Sequence, residues 1–334
     1  MNNNNLYDKL TNYYTEATKY HKNGEYKIAE ELYKDTLRIC FSIYDSTQNS
    51  EEKEELADII SRINKNLKKC TGIHLDNVRG LDEYKELIRK NIFSVVRNQD
   101  TADEYGVKAN CCILLQGKPG TGKSFAVKAA VNEFPEAELF EVRTSSLIDA
   151  YIGNTGKNID ALFEKAKKYI GEYNNRYAII FIDEVDGIAR SRTSDDKGAK
   201  EAMSSLLVNL TKIDEENLNI IFIAATNTPD QLDAAFLSRF GNNIIEFPLP
   251  NEEARKMMLL DNLRKMDEKI NWPKIIKMTE GLSGRDLKFI ANDANKLAFN
   301  QSVDSHKEVL VDEGILIEVI SLAIARKKIK RSYL

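Results

Sequence analysis

The chain has 334 residues, 30% of them charged, with a formal net charge of −4, which leaves room for two or three domains and excludes a surface-wide electrostatic grip on nucleic acid. Its cysteines, Cys40, Cys70, Cys111 and Cys112, show no CxxC spacing, so neither a zinc site nor a disulfide framework is expected, and the expected compartment is a reducing cytoplasm. The polar opening Asn2 to Asn5 does not read as a leader, and no apolar run is long enough for membrane insertion.

Residues 1–71 read as an all-α domain of three helices. The first runs from Leu6 to His21 and ends at the break Lys22 to Gly24. The second carries Tyr26, Ala29, Leu32, Tyr33 and Leu37 at helical spacing. Ser50 as a cap, with Glu51, Glu52 and Glu54 behind it, suits the start of a third. That helix carries Leu56, Ile59, Ile60, Ile63 and Leu67.

Over residues 72–249 short apolar runs alternate with amphipathic helices. The runs "CCILLQ", "ELFEV", "AIIFID" and "NIIFIAATN" look like buried parallel strands, and the alternation predicts an α/β sheet flanked by helices. Over residues 250–334 only helical patterns remain, so a helical lid domain is expected.

"GKPGTGKS", from Gly117 to Ser124, follows the first strand and precedes a helix that opens with Phe125. It matches G-x-x-x-x-G-K-[ST] in the strand–loop–helix context that this phosphate loop requires. Gly117, Gly120 and Gly122 let the backbone of Lys118, Pro119 and Thr121 wrap closely, so that N–H groups face phosphates at a helix N-terminus. Lys123 can reach the β- and γ-phosphates, and Ser124 can ligate Mg²⁺. ATP and Mg²⁺ are the expected cofactors.

Binding alone does not give hydrolysis. The run Ala178 to Ile182 ends in Asp183 and Glu184, two acids at the carboxyl end of a buried strand, where ligands of α/β sheets sit. Asp183 is expected to hold Mg²⁺, and Glu184 to polarise an attacking water. The run "NIIFIAATN" ends in Asn227, where an amide can position that water or read the γ-phosphate; a strand-end cap is the alternative.

These motifs, with "DNVRGLDEYKELI", "LDAAFLSRF" and "GLSGRDL" in this order, resemble an AAA ATPase. The resemblance covers roughly Ile73 to the C-terminus. It implies a homo-hexameric ring that uses ATP to remodel, unfold or disassemble protein clients through a central pore. It makes Arg239 an arginine finger acting on a neighbouring subunit's ATP. It gives Arg285, beside Gly284, the place of a lid arginine that touches the γ-phosphate, and it makes Val78 to Gly80 the adenine-lining segment. Tyr151 and Ile152 match a pore-loop tip that grips a client, although Ala150 replaces the family's more usual basic residue.

The front, with "GEYKIAEELYKDTL", resembles a microtubule-interacting and trafficking domain, found in the severing and ESCRT-III-disassembling group. A tetratricopeptide helix pair and a plain helical spacer remain alternatives. A nucleic-acid ATPase such as a loader, and a nucleotide-controlled scaffold without turnover, are the competing functions. The acidic balance and the Tyr151 loop argue against nucleic acid.

Overall fold

The computed structural model describes residues 3–107, 112–147, 154–171, 177–189, 197–216 and 218–332. The front consists of α1 (Asn3–Lys22), α2 (Tyr26–Ser46) and α3 (Ser50–Cys70). Their apolar stripes meet in a core of Ala17, Ala29, Tyr33, Cys40, Ile43, Leu56 and Ile63. The cap of α3 is Asn49, one residue before the expected Ser50, because its side chain accepts from the N–H of Glu51 at 3.0 Å.

The apolar runs form a five-stranded sheet: β1 (Cys112–Gln116), β2 (Ala137–Arg143), β3 (Tyr177–Asp183), β4 (Ile220–Thr226) and β5 (Ile244–Glu246). The order is β2-β3-β4-β1-β5, with every pairing parallel. Helix α4 (Lys123–Asn132) follows β1, α5 (Asn154–Gly171) follows β2, and α6 (Lys197–Glu215) follows β3. Helices cover both faces, so β3 and β4 read as continuous apolar runs instead of alternating. Two register facts place the site: Gln116 pairs with Thr226, and Arg143 pairs with Asp183. The chain therefore leaves the sheet side by side at Gly117 and Asn227, and again at Thr144 and Glu184.

Helices α7 (Glu252–Asn262), α8 (Trp272–Met278), α9 (Gly284–Ser305) and α10 (Glu313–Ser332) build a second helical body. It buries Leu259, Ile275, Leu287, Ile290, Leu316 and Ile320.

The front helices pack directly on the sheet body. The last carbonyl of α4 and those of the turn that leads into β2 meet donors from the front. His21 Nε2 lies 2.7 Å from the Asn132 carbonyl. The Lys69 ammonium donates to the carbonyls of Phe134, Pro135 and Ala137 at 3.2, 3.3 and 2.5 Å. Lys22 pairs with Glu136 and Lys65 with Glu138. Tyr26 stacks on His74 with ring centroids 3.5 Å apart.

Candidate active site

The phosphate loop bends where only glycine is comfortable. Gly117 and Gly120 have φ of 150° and 82°. A Cβ at Gly117 would lie 2.3 Å from the Phe247 carbonyl oxygen, and one at Gly120 would lie 2.8 Å from Ser283 Oγ. Thr121 ties the loop to itself by donating to the Lys118 carbonyl at 2.9 Å. Lys118 and Pro119 are exposed at its tip, and Phe125 is exposed in the first turn of α4.

Lys123 is 6% exposed. Its ammonium donates to the carbonyls of Gly117 and Lys118 at 2.6 and 3.2 Å, and to Asn227 Oδ1 at 2.8 Å. Burial lowers its pKa below the usual lysine range, with Asp183 and Asp186 opposing and Arg285 assisting. Ser124 Oγ donates to Asp183 Oδ2 at 2.7 Å. Lys123, Ser124, Asp183 and Asn227 therefore converge from three strand ends.

Glu184 is exposed next to them, in the left-handed region with φ 57° and ψ 44°. For a residue with a Cβ this costs about 1–2 kcal/mol, and such strain accumulates at working sites. Its N–H donates to Asp183 Oδ1 at 3.0 Å.

The loop and these acids suit a nucleoside triphosphate with Mg²⁺. A hydroxyl and a carboxylate 2.7 Å apart are hard oxygen donors of the kind Mg²⁺ accepts alongside phosphate oxygens. The glycine bends leave a backbone cradle that a Cβ would fill.

The second helical body reaches the loop through main chain. Arg285 N donates to the Gly120 carbonyl at 3.2 Å. Gly284 opens α9 at the same contact, where a Cβ would stand 3.4 Å from that carbonyl oxygen. The Arg285 side chain is exposed. Val78 is buried in the apolar cluster that also holds Ala126 and Ala130 of α4. Gly80, with φ 70°, passes Ala254 of α7, and Arg79 grips Asp261 with two hydrogen bonds of 2.8 Å.

Arg239 is not part of the cluster within this chain. It is exposed just after the short helix Ala234–Leu237 and forms no ion pair with another described residue. Tyr151 and Ile152, with Ala150, lie outside the described residues.

Some residues at the site carried no assignment in the sequence. Thr226 Oγ1 donates to Asp186 Oδ1 at 3.0 Å and accepts from the N–H of Thr228 at 3.0 Å. This locks the turns after β3 and β4 together next to Asn227. Thr144 donates to the Glu184 carbonyl at 2.8 Å. Asp186 and Thr226 lie inside runs already singled out, whereas "RTSSL" has no pattern that marks Thr144.

Residues 113–249 match the family model described as ATPase family associated with various cellular activities (AAA). A proteasome-activating nucleotidase of Methanosarcina mazei is 34% identical over 271 residues, covering 78% of this chain and 62% of that protein. Proteasome-activating nucleotidase 1 of Haloferax volcanii is 32% identical over 248 residues, 72% of this chain and 58% of that protein. The proteasome-activating nucleotidase of Thermococcus onnurineus is 33% identical over 250 residues, 73% of this chain and 60% of that protein. The chain thus spans about three fifths of the length of these relatives. With the glycine cradle, the acid pair and the parallel sheet in place, the match over residues 113–249 shows that this chain carries a domain of the AAA family.

Proposed function

We propose that the chain hydrolyses ATP to ADP and phosphate and uses the cycle, as a homo-hexameric ring, to remodel or unfold protein clients. The observation that carries this is the convergence of Lys123 on Asn227 and of Ser124 on Asp183, at 2.8 and 2.7 Å. Lys123 offsets phosphate charge, and Ser124 and Asp183 hold Mg²⁺. Bound Mg²⁺ supplies positive charge against the phosphate oxygens. Glu184 takes the proton of a water whose oxygen attacks the γ-phosphorus, Asn227 orients that water, and the bond to the ADP oxygen breaks. Arg239, exposed in its own chain, stabilises transition-state charge in the neighbour's site. Arg285 acts from the lid, and the segment Val78 to Gly80 lines the adenine.

We divide the chain at residues 1–71, 72–249 and 250–334 and assign it to the cytoplasm. In the described residues no helix is long and apolar enough to cross a membrane. Tyr151 and Ile152 grip the client, and the front recruits it in the manner of a microtubule-interacting and trafficking domain. The names of the relatives favour a protein client over nucleic acid.

The test is capture by Glu184→Gln with ATP, against an ADP control, read by mass spectrometry and nucleic-acid staining. Protein retained only with ATP, and released by Tyr151→Ala, is expected. Retained nucleic acid without protein would replace this reading with a loader.

A further inference from the structure

Glu184 holds a backbone conformation that a residue with a Cβ avoids. Something nearby must select it, and the only side-chain hydrogen bond described at its carbonyl comes from Thr144. Thr144 follows the last paired residue of β2, and Glu184 follows the last of β3; since Arg143 pairs with Asp183, the two leave the sheet side by side. Thr144 is 3% exposed. Its hydroxyl oxygen lies 2.8 Å from the Glu184 carbonyl oxygen, to which it donates, and has a longer contact of 3.3 Å with that of Asp183.

The Glu184 carbonyl also accepts from Gly187 N at 3.1 Å, which closes the turn after β3. Both of its lone pairs are thus in use. The Thr144 methyl occupies the other end of the same turn, because a Cβ added to Gly187 would lie 2.5 Å from Thr144 Cγ2. One buried side chain therefore holds the turn at both ends, by its hydroxyl at Glu184 and by its methyl at Gly187. Rotating Glu184 into an ordinary conformation would swing its carbonyl away from the hydroxyl and leave a buried donor with only its longer, 3.3 Å contact to the Asp183 carbonyl.

We propose that Thr144 is a positioning residue for hydrolysis: its hydroxyl holds Glu184 in the left-handed conformation and so sets where the Glu184 carboxylate stands. This rests on Glu184 being the base of the reaction proposed above. Among the described residues Thr144 forms no hydrogen bond with the phosphate loop, so its effect is expected on the chemical step and not on nucleotide affinity.

Thr144→Val removes the hydroxyl and keeps the branched shape, while Thr144→Ser keeps the hydroxyl. Turnover and KM for ATP, and nucleotide Kd by calorimetry, are measured on the full chain beside wild type and Glu184→Gln. Thr144→Val is expected to lower kcat roughly 10–100-fold, the scale of a displaced catalytic group, with Kd within about twofold of wild type. Thr144→Ser is expected to restore most of the turnover. A wild-type kcat in Thr144→Val overturns the proposal. So does an equal loss in Thr144→Ser, which would make the methyl the cause, or a matching loss of nucleotide affinity, which would mean general disruption. If wild type itself shows no turnover while binding ATP, the hydrolytic reading fails first and this role for Thr144 falls with it. Turnover in wild type but undiminished in Glu184→Gln removes the base and likewise overturns the role.

Discussion

The backbone N–H of Arg285 donates to the carbonyl of Gly120 at 3.2 Å. The C-terminal helices are thus fastened to the phosphate loop by main chain, while the Arg285 guanidinium stays exposed. Two substitutions separate these roles. Gly120→Ala strains a φ of 82° and drives a Cβ to 2.8 Å from Ser283 Oγ, so it is expected to cost about 1–3 kcal/mol of stability and to weaken nucleotide binding. Arg285→Ala keeps the main-chain bond, so stability should stay within about 0.5 kcal/mol while turnover falls. Denaturant unfolding and steady-state kinetics on both variants check this.

Lys123 binds phosphate only when protonated, and burial lowers its pKa. Nucleotide affinity of the free protein should therefore fall as pH rises, beginning below the ordinary lysine value of about 10.4. Lys123→Ala should bind weakly with no such limb. Calorimetric titration across the alkaline range distinguishes the two.

Asp286 completes the capping box that Ser283 opens at the start of α9, accepting from the N–H and the hydroxyl of Ser283 at 2.9 Å each, and pairs with Lys327 at 2.7 Å. Burial pushes its pKa up, but Lys327 and Ser283 outweigh this and hold it below its usual range. A carboxyl lowered by folding stabilises above its unfolded pKa of about 3.9 and loses that contribution as pH falls through the folded value. Asp286→Asn should thus be less stable than wild type near neutrality, and the two should converge in acid. Thermal unfolding as a function of pH reads this.

Lys69 satisfies three carbonyls at the turn between α4 and β2. Lys69→Met leaves them without that donor and is expected to destabilise by about 1–3 kcal/mol. Amide exchange should quicken around residues 133–137 and at the facing ends of α1 and α3. Unchanged exchange there would assign the contact no share in holding the front in place.

Arg239→Ala and Lys123→Ala subunits should each be inactive alone. Mixed, they should recover turnover at interfaces that pair an intact Arg239 with an intact Lys123. Failure to recover despite confirmed co-assembly would remove Arg239 from the neighbour's site.

The reach of local pattern is clear at two places. Gly117 to Ser124 announces itself because every part of a phosphate loop lies within eight consecutive positions between a strand and a helix. Asp183 and Asn227 were legible because each ends an apolar run, and parallel strands bring such ends to one edge of the sheet. Thr144 was not legible, since its partner at Glu184 is 40 positions away. The cap on α3 shifted from Ser50 to Asn49 because both residues are good caps and only backbone geometry selects one.

Sequence alone determined the alternation of strands and helices, the helical ends, and the residues of the phosphate and acid motifs, because periodicity and short spacing are local properties. Tertiary structure decided the rest. It chose the strand order that sets Lys123 beside Asn227, the contact of α9 with the phosphate loop, and the docking of the front helices on the end of α4. Each depends on two segments far apart in the chain coming within hydrogen-bond distance, and no local pattern carries the loop-closure entropy and packing that decide such contacts.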